Sequence, residues 1–165
     1  MLSFKTCCLL LAIVLTGLSA GLFYAWSVSV IPGTRKVSDL VYLEAMQNIN
    51  RAILNPGFFA IYVGSLALLV LSTVQQYGQG PVFGLLLAAS LLYLVGTCGI
   101  TAYGNIPLNN SLDALHLPTL DAEQLASFRQ HYETPWNEWH TIRTASAVLA
   151  FLLALLAMAV VRQGV

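Results

Sequence analysis

Apolar and polar positions along this chain separate on a scale much longer than a helix turn. Four apolar runs, from about Cys7 to Ile31, Phe58 to Val74, Val82 to Tyr103 and Ile142 to Val161, are divided by polar stretches of unequal length. At about 1.5 Å of rise per residue, each run suits a hydrocarbon core of about 30 Å, the second by borrowing Ile53 and Leu54. The pattern predicts an all-α, single-domain membrane protein over residues 1–165: a four-transmembrane-helix bundle with spans at about 7–31, 55–74, 82–103 and 135–161. In the first long connection, Tyr42, Met46, Ile49 and Ile53 repeat at helical spacing behind a Ser38 cap. That stripe predicts an interfacial helix over about 38–54, running into the second span at the Asn55-Pro56-Gly57 break. The second long connection, 104–134, predicts a partly helical lid. Pro107 and Pro118 argue against one continuous helix there, and Asp121–Gln124 has the form of a capping box with Leu120 and Leu125 as its hydrophobic staple. Thr134 followed by Pro135 predicts a fresh helix start.

The QQYGQGP stretch is a short turn that makes the second and third spans an antiparallel hairpin. Both long connections then lie on the same side of the bundle. That side holds all seven acidic residues, all three histidines and five of the seven basic residues, so the protein is chemically polarised. Composition agrees with a membrane location: 58% of residues are hydrophobic and 8% charged, against about one quarter charged in a soluble domain, and mean hydropathy is +0.75. Zero net charge, with no basic block, gives nucleic acid no footprint. Cys7, Cys8 and Cys98 lie inside apolar runs and read as packing residues, and no Cys-x-x-Cys motif is present. Lys5, the apolar run and Leu18-Ser19-Ala20 imitate a cleavable leader, yet apolar character continues to Ile31, so a retained helix is expected. Gly17 and Gly21 within it offer a close-approach face. Lys5 and Arg162 closely flank their spans, which favours a bacterial inner membrane with the long connections facing away from the cytoplasm.

Chemistry concentrates at the polarised end. In WNEWHTIRT, Trp136, Trp139, His140 and Arg143 fall at i, i+3, i+4 and i+7 and share a helix face at the start of the last span. Asn50, Arg51 and Asn55 precede the second span, and Asn105, Pro107 and Asn109 follow the third, at the same boundary. A polar cluster capping an apolar bundle suits a flat hydrophobic ligand carrying one or two oxygens. Trp136 and Trp139 can stack on it; Asn105, Asn109, Arg51 and Asn55 can bind its polar edge. Arg143 can stabilise an anion, and His140 is the side-chain type suited to proton transfer near neutrality. Against this stands a plain reading: an aromatic belt, a snorkelling arginine and turn-building asparagines. The histidines share no ligand spacing, so no metal is predicted.

The segments GLFYAWSVSVIPG, MQNINRAILNPGFF, GNIPLNNSL and WNEWHTIRT, in that order among four spans, resemble the anthrone oxygenase-like family (DUF1772). The resemblance covers nearly the whole chain and is most specific at NIPLNN and WxxWHxxR. It implies oxidation of anthrones to anthraquinones by O2 with no cofactor, metal or flavin. Asn105, Pro107, Asn109, Trp136 and Arg143 match the family's polar motifs; His140 stands where many members carry Asn or another polar residue. The implied partners are the lipid bilayer, a hydrophobic small molecule and O2. Two other classes stay open: a non-catalytic membrane subunit, as a homo-oligomer or with a larger membrane partner, and a hydrophobic small-molecule binding protein without turnover.

Overall fold

The computed structural model describes residues 3–163. Its long helices are α1 (Phe4–Thr34), α2 (Asp39–Ala52), α3 (Pro56–Gln75), α4 (Pro81–Asp113) and α5 (Ala122–Gln163), with one turn of 3-10 helix at Leu117–Thr119. All but α2 are long and apolar enough to cross a membrane, and the protein is an integral membrane protein. The side chain of Arg162, counted above as a flanking charge, lies outside the described residues.

Three of the long helices begin where a side chain supplies a partner for an unpaired N–H group. Ser3 Oγ accepts from Thr6 N in α1, and Asn55 Oδ1 from Phe58 N in α3, where Pro56 occupies the first turn. At α5 the capping box closes in both directions: Gln124 N donates to Asp121 Oδ1 at 2.8 Å, and Asp121 N to Gln124 Oε1 at 3.0 Å. Ser38 precedes α2 in extended conformation without a side-chain cap bond.

The lid is not one continuous helix: it breaks between Asp113 and Ala122, around Pro118, but neither a break at Pro107 nor a fresh start at Pro135 occurs. Helix α4 runs through Pro107 to Asp113, because the wider π-type turns at Leu92–Gly99 and Thr101–Asn105 come just before it. A wide turn relieves the clash between the proline ring and the preceding carbonyl. Helix α5 likewise runs through Pro135 with no restart at Thr134. The donor missing there is offset by tertiary anchors on either side, Tyr132 and Trp136, both buried.

Packing divides into two cores. Toward the α3–α4 turn, Ala147, Ala150, Ala154 and Ala157 form a fully buried stripe on α5 against Leu9, Leu69, Leu86 and Tyr93. Small residues set the spacing: a Cβ on Gly96 would lie 2.3 Å from Ser146 Oγ, and one on Gly17 2.9 Å from the Phe151 ring. Gly21 faces open space, so only the first glycine of the GxxxG pair is used. Toward the other end, α2 lies across the bundle, and Tyr42, Leu43 and Met46 pack on Leu112, Leu117, Leu125 and Tyr132. Gln47 Nε2 donates to the Leu112 carbonyl at 2.7 Å, capping the end of α4.

Arg129 locks this second core. Its guanidinium donates to the Thr34 and Val37 carbonyls, to Asp39 Oδ1 at 3.0 Å and to Glu133 Oε2 at 2.7 Å, and it lies 4.4 Å over the Tyr42 ring. Burial, with Glu133 nearby, pushes the Tyr42 phenol above its ordinary range. Breaking a mostly buried charge cluster costs about 3–5 kcal/mol, so Arg129→Ala should lower unfolding stability in a detergent titration by an amount of that order. Arg35, 62% exposed and 3.9 Å from Glu133, should lose no more than about 0.5 kcal/mol on the same change. Equal losses would show that the clamp does not hold α2 in place.

Candidate active site

Three side chains of α5, one helical turn apart, form the heart of the site: Trp136 is 3% exposed, His140 1% and Arg143 9%. The 3.6-residue period aims them at α1, where the wide turn Trp26–Val30 begins just after Phe23. Trp136 and His140 stack with ring centroids 5.1 Å apart and planes 9° from parallel. The Arg143 guanidinium carbon lies 4.7 Å from the Phe23 ring centre and 5.1 Å from that of Trp136, so the cation is held against two π faces.

Hydrogen bonds fix the protonation pattern. Arg143 Nε and Nη2 both donate to His140 Nδ1, at 3.1 and 3.0 Å. Guanidinium nitrogens only donate, so Nδ1 must carry a lone pair. On the other edge of the ring, Nε2–H donates to the Phe23 carbonyl at 3.1 Å, with Ser27 Oγ 3.0 Å away. His140 is therefore the neutral Nε2–H tautomer, and its one lone pair is occupied by Arg143. Arg143 Nη1 reaches Thr101 Oγ1 at 3.5 Å. Among the described residues no carboxylate forms an ion pair with Arg143. A charge so deeply buried is normally paired, and here its partners are neutral.

Beside this pair lies a cavity of about 280 Å³, near the lower end of small-molecule clefts. Its wall is mainly apolar, from Phe23, Trp26 and Leu22 of α1 and Phe58, Phe59 and Tyr62 of α3. The polar edge comes from Asn50, Arg51, Asn109 and Asp113, with His140 and Arg143 at the inner end. Arg51 and Asp113 form an exposed ion pair from α2 to the end of α4.

Of the residues singled out from sequence, His140, Arg143, Trp136, Asn109, Arg51 and Asn50 line this one cavity. The others have different places. Trp139 packs edge-on against exposed Tyr103, over Gly104, where an added Cβ would meet the indole at 2.4 Å. Asn105 is fully buried beside the cavity; its Nδ2 donates to the Trp136 carbonyl at 3.1 Å and its Oδ1 has no partner. Asn55 is consumed as the α3 cap. Phe23, Ser27, Tyr62 and Thr101 join the site without having been anticipated. Ser27 and Thr101 carry a faint signal, as hydroxyls in or beside apolar runs; Phe23 and Tyr62 read as ordinary packing.

This geometry has a direct spectroscopic consequence. At neutral pH, ¹⁵N spectra of histidine-labelled protein should show His140 with an unprotonated Nδ1 and a protonated Nε2, and Arg143→Met should remove the bond at Nδ1. A doubly protonated ring would overturn the assignment.

Comparison with known proteins gives one finding. A family model described as anthrone oxygenase matches residues 48–153, from the last residues of α2 through α3 and α4 to Leu153 in α5, and so includes the Trp136–Arg143 segment. No curated protein and no solved structure matches the chain.

Proposed function

Because the chain belongs to the anthrone oxygenase family, we propose that its cavity binds a flat, hydrophobic aromatic ketone and oxidises it with O2 at the membrane boundary. The observation that carries this reading is Arg143: a buried cation, unpaired with any carboxylate among the described residues, facing an apolar cavity. Such a charge fits a site where negative charge develops during reaction.

An anthrone has a carbonyl opposite an acidic ring methylene. As negative charge gathers on the carbonyl oxygen, the Arg143 N–H groups exchange His140 Nδ1 for that oxygen. The same exchange frees the Nδ1 lone pair, which takes the methylene proton. The resulting enolate is electron-rich and passes one electron to O2; the radical pair joins to form a carbon–oxygen bond, giving a peroxide anion. The proton held on His140 returns to it. Loss of the second methylene hydrogen as a proton, with cleavage of the O–O bond, leaves the new carbonyl and one water. The sum is ring CH2 plus O2 to ring C=O plus H2O. O2 is the only oxidant, and the apolar cavity concentrates both reactants.

The proposal extends to location: an inner membrane with the long connections facing away from the cytoplasm. Lys5 and Arg162, which closely flank the first and last spans on the opposite side, support that orientation.

Purified protein in lipid nanodiscs, offered anthrone and O2, should form quinone above the spontaneous rate. Arg143→Gln should lower that catalysed rate by about 10²- to 10³-fold, the usual loss on removing one donor to a developing oxyanion. Quinone absorbance and O2 uptake report it together. A wild-type rate no greater than lipid alone, or an unaffected variant, would end the oxygenase reading.

A further inference from the structure

The α4 wall of the cavity carries an amide whose orientation is fixed. Asn109 Oδ1 accepts from the Trp136 indole Nε1–H at 2.8 Å and from the Tyr132 hydroxyl at 3.1 Å. An indole nitrogen only donates, so the atom facing it is the amide oxygen. The Tyr132 hydroxyl in turn accepts from Asn50 Nδ2 at 3.2 Å, which commits its single proton to Asn109. Donation thus runs one way, from Asn50 through Tyr132 into Asn109, and Trp136 adds a second donor at the same oxygen. With that oxygen doubly occupied, Asn109, which lines the cavity, has its Nδ2–H2 group left to offer, with no hydrogen-bond partner among the described residues. Trp136 stands between this donor and Arg143: the amide bonds to the indole edge, while the guanidinium lies against its face.

We infer that Asn109 is a specificity-determining donor that binds a second acceptor oxygen of the ligand, at the edge away from Arg143. The cavity then prefers a flat ring system with two opposed oxygens, such as a ring diketone, over one with a single oxygen. The inference rests on the oxygenase reading in that Arg143 takes the first oxygen. In that reaction the second oxygen is the one O2 delivers, so Asn109 receives it as it forms. Tyr132 does not line the cavity; together with the Trp136 indole N–H it stops the amide from turning its oxygen inward.

Anaerobic binding of three probes to protein in nanodiscs, followed by tryptophan fluorescence quenching, tests this. The probes are anthracene, anthrone and 9,10-anthraquinone, with no oxygen, one and two opposed. One additional hydrogen bond is worth about threefold to tenfold in affinity, so wild type should prefer anthraquinone over anthrone by that margin. Asn109→Leu should erase the preference and leave anthracene unchanged. Asn109→Asp keeps an oxygen for the Trp136 and Tyr132 donors but replaces the Nδ2–H2 donor by an acceptor, and it should reduce the preference in the same direction; it carries the test alone if Asn109→Leu fails to fold. A preference that survives both substitutions overturns the inference. So does equal weakening of all three probes, which marks Asn109 as packing only, and so does binding of none. Turnover is not needed here: protein that shows the preference yet forms no quinone sinks the oxygenase reading alone. Protein that forms quinone without the preference sinks this inference alone.

Discussion

A guanidinium sunk into a helix bundle without a carboxylate sets the terms for everything around it. Desolvating such a group costs several kcal/mol, and a counter-ion is the common remedy. Here the remedy is a neutral imidazole lone pair, two aromatic faces and one threonine hydroxyl. Each remedy imposes a further requirement. The imidazole accepts at Nδ1 only if its proton sits on Nε2, so Nε2 needs an acceptor of its own, which is the Phe23 carbonyl. The Phe23 ring must also lie against the guanidinium, which fixes where α1 passes α5. Trp136 must stack on the imidazole, and its indole N–H must then find Asn109. One unpaired charge thus determines contacts on three helices.

The two cores divide the work. Near the α3–α4 turn, alanine, glycine, serine and threonine bring helices close, and buried hydroxyls bond within the bundle, as Ser19 does with Tyr93 and Thr73 with Ser90. Close packing of that kind leaves no room for a ligand. At the other end α1, α4 and α5 all exceed the roughly 20 residues needed to span, so they project beyond the hydrocarbon and need polar fastening. Arg129, Gln47 and the capping box supply it and hold α2 across the bundle. The cavity lies where the helices are tied by side chains instead of by touching backbones.

The spans and the hairpin were legible because hydropathy averaged over about 20 residues is insensitive to single positions. Helix interruptions were not. Pro107 and Pro135 carry strong local signals for a break, yet the penalty is local and was overridden, by wide turns in α4 and by buried neighbours in α5. The α5 face was legible because Trp136, His140 and Arg143 follow the helix period. Trp139 shares the motif but sits about 100° around the helix from His140, enough to send it to Tyr103 and Gly104 instead. Asn55 was misread because a residue before proline and glycine has a competing use as a cap, and the cap won. Phe23 and Tyr62 were invisible, since an aromatic ring in an apolar run reads as packing until a cation is seen beside it.

The hydrogen-bond pattern also separates two roles that a histidine at position 140 combines. Toward Arg143 the ring is an acceptor, and toward the Phe23 carbonyl it is a donor. An asparagine, which the resemblance associates with this position in many relatives, has one group of each kind: Oδ1 accepts and Nδ2 donates. It can therefore settle the buried guanidinium in the same manner, although it cannot take a proton near neutrality. Support of Arg143 is then the requirement both residue types meet, and proton removal is an addition that imidazole makes possible. In this chain the imidazole and the guanidinium share their hydrogen bonds, so parting them leaves both the Nδ1 lone pair and the guanidinium N–H groups in need of a new partner.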